Sequence, residues 1–163
     1  GPMTTNLAQL ARAYLIFANE GALPSLKLIK NTYDDQMQQV FTPESTQRIA
    51  EILDSVTSMK GSGYRAVIDG YEVAGKTGTA EMVIDGKYSK DGAKRTYFVG
   101  FSPVINPKYI MAVRLDYPKK CFVSWDPTLR NRCEGSNSAA MAFQKAMERI
   151  LINDPEIQSK LES

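Results

Sequence analysis

The chain has 163 residues with 20 Lys plus Arg against 18 Asp plus Glu, a net charge of +2, and no histidine. This balance excludes a basic nucleic-acid footprint and an acidic tail, and the absent histidine excludes Ser-His-Asp and Cys-His catalysis and every His-ligated zinc site. With 43% apolar and 23% charged residues, one globular domain with a buried core is expected, and any proton transfer falls to Lys, Glu, Asp, Tyr or the backbone.

No apolar run reaches membrane-spanning length and no basic-then-apolar secretion pattern opens the chain, so the residues given are expected to be neither anchored nor self-targeting. Gly1-Pro2-Met3 has the look of a remnant left by proteolytic removal of a tag, which sets residues 1–3 apart. Leu7, Leu10, Ala11, Tyr14, Phe17 and Ala18 recur at helical spacing, with Thr4 or Thr5 as N-cap and Gly21 as terminator. Leu26 to Ile29, after Pro24, suits a strand or extended connector. The next helix opens on Thr42, Pro43 and Glu44, places Ile49, Ile52, Leu53, Val56 and Met59 on one face, and stops at Gly61 and Gly63.

Beyond this point the period falls to about two. Tyr71–Val83, Arg95–Val104 and Tyr109–Tyr117 are predicted strands, with Asp85-Gly86 and Asp91-Gly92 as hairpin signals and Asn106-Pro107 as a turn. They form a three-stranded antiparallel meander. Ala139, Phe143, Ala146, Met147, Ile150 and Leu151 predict a closing helix ending near Asn153, with residues 153–163 as a tail. The class is α+β, an antiparallel sheet packed against helices.

Cys121 and Cys133 enclose a polar segment containing Trp125, Phe122 and Pro127. One disulfide in an oxidising compartment and two unpaired thiols fit equally, while a metal site lacks ligands. The aromatic residues suit a pinned surface loop better than a substrate loop, and Lys119, Lys120, Arg130 and Arg132 suit a solvated cluster.

The chemistry concentrates in Gly75-Lys76-Thr77-Gly78-Thr79-Ala80. A Lys-Thr-Gly tripeptide often arises by chance, and strand glycines more often mark bulges or packing contacts than binding edges. In a regular strand, however, Thr77 and Thr79 share one face and Lys76 takes the other, so all three meet one ligand only along the strand edge. That edge would pair with an extended peptide: Gly78 permits close approach, the threonine hydroxyls donate to a carboxylate, Lys76 adds positive potential, and the Thr79 N–H supplies half of an oxyanion hole.

Lys76-Thr77-Gly78-Thr79-Ala80-Glu81, preceded by Tyr71-Glu72-Val73-Ala74-Gly75, resembles the third signature motif of penicillin-binding proteins and serine β-lactamases. Gln9-Leu10-Ala11, Ala13-Tyr14 and Ala18-Asn19-Glu20-Gly21, together with Phe98-Val99-Gly100-Phe101-Ser102-Pro103, narrow the resemblance to class B penicillin-binding proteins of division or elongation type. It implies a partial transpeptidase fold over residues 4–152 and a peptidoglycan D,D-transpeptidase parent that is membrane-anchored and works on the periplasmic, extracytoplasmic side. Its partners would be the D-Ala-D-Ala stem peptide, β-lactam antibiotics and cell-division proteins, with no nucleic acid and no cofactor.

By position, Lys76 and Thr79 would be catalytic, and Thr77, Gly78 and Thr79 substrate-binding, with no metal. The family also needs a Ser three residues before a Lys and a Ser-x-Asn element. Ser25, Ser45-Thr46-Gln47, Thr57-Ser58-Met59-Lys60 and Ser136-Asn137-Ser138 do not supply them. The chain is therefore expected to lack the nucleophile, to be silent alone, and to need the missing N-terminal part of its own domain. The alternatives are a non-catalytic β-lactam or peptide sensor and a serine β-lactamase relative. Thr79→Val is expected to weaken carboxylate recognition and leave the fold nearly intact.

Overall fold

A computed structural model describes residues 5–25, 36–58, 60–89, 93–119, 121 and 133–161. The first helix, α1 (Leu7–Ala18), begins one residue later than the expected cap: the Asn6 carboxamide accepts the Gln9 N–H at 2.8 Å while the Gln9 side chain accepts the Asn6 N–H. This reciprocal capping box satisfies two orphan donors, so the cap is Asn6 and not Thr5, and Thr4 lies outside the described residues. At the other end Gly21, with φ of +88°, donates to the Ile16 carbonyl and turns the chain into β1 (Ala22–Pro24).

β1 pairs antiparallel with β2 (Met37–Gln39). This small ribbon carries no sequence signal, because all three residues of β2 are exposed and polar or flexible. The extended stretch expected at Leu26–Ile29 lies outside the described residues, as do Asp91-Gly92, Met59, Lys120, Phe122, Trp125, Pro127, Arg130 and Arg132.

Helix α2 (Pro43–Thr57) has the expected start: Thr42 Oγ1 accepts the Ser45 N–H, with Pro43 in the first turn. Of the expected inner face Leu53 is buried and Ile49 and Val56 are half-buried, but Ile52 is not part of it. Thr46, Ala50, Leu53 and Thr57 face inward while Ile52 is 63% exposed. The short side chains at 46 and 50 let the helix lie close to the sheet, and proximity rather than residue size selects the inner face. A 3-10 turn at Tyr64–Ala66 follows.

The strands β3 (Ala74–Glu81), β6 (Lys94–Ser102) and β7 (Tyr109–Asp116) form the predicted meander, all antiparallel, in the order β3-β6-β7. Between β3 and β6 projects a hairpin of β4 (Val83–Ile84) and β5 (Lys87–Tyr88). Its turn residues Asp85 and Gly86 both have positive φ, 51° and 75°, as the Asp-Gly signal requires.

Helix α3 (Ala139–Ile152) ends on Asn153 as expected. The tail expectation for residues 153–163 is corrected in part, because Pro155–Leu161 form a further helix, α4. The Asp154 carboxylate accepts the N–H groups of Glu156 and Ile157, and Ile157 is buried in the core. An Asp-Pro pair thus starts a helix here instead of ending the fold.

The sheet is covered on both faces. On one, Phe98 meets Phe143, Met147 and Leu151 of α3 with Ile68 and Val73, and the Phe98 and Phe143 ring centroids are 4.6 Å apart. On the other, Phe101, Ala74 and Val104 meet Ala50 and Leu53 of α2 and Tyr14 and Phe17 of α1, with Phe17 stacked on Phe101 at 4.7 Å. Burial raises the Tyr14 pKa. The central strand β6 is buried from Phe98 to Ser102, leaving β3 and β7 as the two borders of the sheet.

Candidate active-site edge

Among the described residues β3 pairs with β6 alone, so its far side is a border of the sheet. Which groups face that border follows from parity. The Met82 N–H bonds inward to the Ala93 carbonyl, whereas the Val73 carbonyl accepts the Thr57 hydroxyl of α2 on the outer side. In an antiparallel ladder the N–H and C=O of one residue point the same way and successive residues alternate. Thr77 and Thr79 therefore turn both backbone groups to the border, and Lys76 Nζ donates to the Thr77 carbonyl there at 3.1 Å. Lys76 and Thr79 are exposed, and Thr77 and Gly78 are half-buried.

The side chains divide between the two faces. Thr77 lies across from Phe98 and Thr79 from Thr96, on the α3 face, and Lys76 lies across from Val99 on the other. The Ser62 and Thr77 hydroxyls are 3.4 Å apart. Thr79 Oγ1 accepts the N–H of Gly135 at 3.0 Å, from a 3-10 turn at Gly135–Asn137 that runs into α3. A Cβ on Gly135 would stand 2.7 Å from the Gly78 carbonyl and 2.8 Å from that of Tyr97, so glycine is required for this close approach. Gly78 differs: a Cβ there would meet the Tyr97 Cβ at an ordinary 3.4 Å. Among the described residues nothing demands glycine at 78.

The turn beside Thr79 is well held. Glu134 N–H donates to Asn137 Oδ1 at 2.7 Å, the buried Ser138 hydroxyl donates to Thr96 Oγ1 at 2.9 Å, and Lys94 pairs with Glu134 at 3.6 Å. Cys121 and Cys133 form a disulfide, which resolves the two thiol readings in favour of the bridge. At the same end of the sheet, on the outer strand β7, Asp116 takes Arg95 at 2.7 Å and Arg114 at 2.8 Å. Its carboxyl is held below the usual range by the hydrogen bond from Arg95 first and by Arg114 second.

The structure brings Lys76, Thr77, Gly78 and Thr79 to one border and adds two residues that the sequence did not disclose, Ser62 and Gly135. Gly135 is 56 positions from Thr79, and no local pattern links them. The Thr79 hydroxyl also accepts a structural hydrogen bond, so Thr79→Val removes an acceptor inside the fold as well as a donor toward a ligand.

Of the hydroxyls weighed as nucleophiles, Thr57 is buried against Val73, Ser138 against Thr96, and Ser45 is 3.1 Å from Thr42 Oγ1 in the α2 cap. No group of three or more metal-ligating side chains occurs among the described residues. A cleft of about 640 Å³ at the other end of the sheet, lined by Tyr71, Ile105, Ile157 and Leu161, does not include the edge.

The family model of the penicillin binding protein transpeptidase domain matches residues 1–148. A probable peptidoglycan D,D-transpeptidase PbpC of Pseudomonas aeruginosa is 36% identical over 118 residues, which are 72% of this chain and 21% of the relative. Peptidoglycan D,D-transpeptidase FtsI of Buchnera aphidicola subsp. Baizongia pistaciae is 34% identical over 157 residues, 93% of this chain and 25% of the relative. The apo structure of the TP domain from Burkholderia pseudomallei penicillin-binding protein 3 superposes with a TM-score of 0.72 at 31% identity, covering 93% of this chain and 44% of that one. The chain thus spans about a fifth to a quarter of these curated relatives. With a matched family model and a solved transpeptidase domain that superposes over 93% of this chain's length, the chain belongs to the class B penicillin-binding protein transpeptidase domain family, over part of that domain's length.

Proposed function

We propose that this chain carries the substrate-docking wall of a peptidoglycan D,D-transpeptidase. The observation that carries the reading is the β3 border, where Thr77 and Thr79 present their backbone N–H and C=O groups beside the exposed Lys76. A D-Ala-D-Ala stem peptide, or a β-lactam that imitates it, adds to this border as a short extra strand. Thr77 and Thr79 hydroxyls take the terminal carboxylate, and Gly78 leaves the approach clear. Lys76 contributes positive potential and proton traffic. The Thr79 N–H faces the developing oxyanion, a contribution of about 3–4 kcal/mol for one such donor.

The nucleophilic serine and its lysine come from the remainder of the domain, which docks against the surfaces this chain leaves uncovered. Two are evident among the described residues: α1, none of whose residues is fully buried, and the outer edge of β7. The disulfide suits an oxidising compartment, in keeping with work outside the cytoplasmic membrane. No described helix is long and apolar enough to cross a membrane. Cell-division proteins are the expected partners of the parent.

The test is intact-mass measurement after incubation with benzylpenicillin. The 163-residue chain should gain no adduct, and a chain extended upstream to a full transpeptidase domain should gain one equivalent. An adduct on the short chain overturns the assignment of the nucleophile to the missing part. Unaltered acylation of the extended chain when Thr77 and Thr79 are both replaced by Val overturns the docking role.

A further inference from the structure

We propose that the Cys121–Cys133 disulfide is a positioning element for the docking edge, acting through Gly135 on the Thr79 hydroxyl. The proposal rests on the reading of β3 as that edge. Both half-cystines are buried, at 8% and 3% exposure, and Cys133 lies two residues before Gly135. Gly135 in turn is seated on the sheet at Gly78 and donates its N–H to Thr79 Oγ1.

That hydrogen bond decides what the hydroxyl does next. A threonine hydroxyl has one proton to give and two lone pairs. With the Gly135 N–H on one lone pair, the proton is directed away from Gly135, and donation to an incoming carboxylate becomes the favoured use of it. Without Gly135 the hydroxyl rotates freely and must be ordered by the ligand at an entropic cost. The donor state of Thr79 is thus set from outside the strand.

What holds Gly135 in place is unequal on its two sides. Glu134 is tied within the turn by the Asn137 carboxamide and by the Ser138 hydroxyl at its carbonyl, bonds that travel with the turn, and downstream Ser138 also reaches Thr96 on the sheet. Upstream, the covalent anchor among the described residues is Cys133, tied back to the segment that leaves β7; the Lys94–Glu134 pair, at 3.6 Å and with Glu134 half exposed, adds little. Opening the bridge frees the chain before Glu134 and lets the Gly135 turn lift from the sheet. A dithiol does this in a balanced exchange: two electrons and two protons pass to the cystine, leaving two thiols, and the dithiol becomes a disulfide. The edge would then respond to redox state without any change in its own four residues.

The experiment compares three samples of the 163-residue chain: oxidised, reduced with dithiothreitol, and the double variant Cys121→Ser with Cys133→Ser. Amide hydrogen exchange by NMR reads the Gly135 N–H directly. The expected result is at least about tenfold faster exchange at Gly135 in both open forms, with the central-strand amides of Phe98 and Val99 unchanged. Titration with N-acetyl-D-Ala-D-Ala, followed at the Thr77 to Thr79 amides, should show about 5- to 10-fold weaker binding in the open forms, the loss of about one hydrogen bond.

Equal Gly135 exchange in all three samples overturns the proposal. So does equal faster exchange throughout the sheet, which would make the bridge a general staple. Equal peptide affinity, with Gly135 exchange changed, overturns the link to the docking edge. Peptide binding to none of the samples counts against β3 as a docking edge and leaves Gly135 exchange to decide the clamp. The reduced wild-type sample serves if the double variant does not fold.

Discussion

Replacing Thr79 by Val tests the geometry of the edge without a ligand. Val is nearly the same volume and favours strands, so neither a cavity nor lost propensity confuses the result. What is lost is the acceptor for the Gly135 N–H, now 3.0 Å from the threonine oxygen. Gly135 is buried and its backbone lies against Gly78 and Tyr97, so its N–H has little access to another partner. A net hydrogen bond is worth about 0.5–1.5 kcal/mol, and leaving a buried donor unpaired costs about 1–3 kcal/mol. Because Thr79 itself is exposed and water reaches the border, the lower part of that range applies, about 1–2 kcal/mol. For a chain of this size that corresponds to a fall of about 3–6 °C in Tm, measured by calorimetry. Thr79→Ser keeps the oxygen and should recover most of the loss. A Thr79→Val melting point equal to that of the parent would refute the Gly135 contact as a stabilising bond.

Phe143→Ala removes the ring that packs 4.6 Å from Phe98 in the fully buried core and should cost about 3–5 kcal/mol, read as a lower urea midpoint. Gly135→Ala forces a Cβ to 2.7 Å from the Gly78 carbonyl; overpacking of about 1–3 kcal/mol and displaced Gly78 and Thr79 amide shifts are expected in NMR spectra. The Asp154 carboxyl is held well below its usual range by Lys108 first and Tyr109 second. Its folded pKa is lower than its unfolded one, so this stabilisation is complete above about pH 4 and is lost as pH falls further. Melting temperature should decline below about pH 4 in the parent and decline less steeply in Asp154→Asn.

The long periodic elements were legible because each turns a face to the core: Tyr14 and Phe17 of α1 pack half-buried against it, and Phe143, Met147 and Leu151 in α3 and the β6 run from Phe98 to Phe101 carry their burial in their spacing. On α2 the apolar spacing located Ile49, Leu53 and Val56 on the inner side but not the small Thr46 and Ala50 that are buried deepest, and it wrongly included Ile52, because size and apolarity alone do not reveal where a helix approaches a sheet closely. Helix α4 was missed because seven residues with one buried apolar side chain give no period, and its start depends on the Asp154 carboxylate bonding two backbone N–H groups. At the edge, Lys76 to Thr79 were legible as a group of residue types. Ser62 and Gly135 were not, since they reach the strand by tertiary packing from remote positions.

The two borders of the sheet are protected differently, and the contrast bears on what each is for. An exposed strand edge invites pairing with another chain, and folded proteins blunt it with charge, short length or cover. β3 carries Lys76 and Glu81, is flanked upstream by Thr57 of α2, and meets the Gly135 turn beside Thr79, so little more than a four-residue window stays open. A window of that length admits a dipeptide terminus and disfavours a full strand. β7 presents Tyr109, Ile110, Met111, Ala112 and Val113 in succession before its first charge at Arg114, with no strand on its outer side among the described residues. A long uncharged edge is an aggregation hazard unless something covers it. The chain covers 44% of the Burkholderia pseudomallei domain, and on the proposed reading the rest of such a domain supplies that cover. On the proposed reading the guarded border is the one that takes a small ligand, and the unguarded one is the one that meets the rest of such a domain.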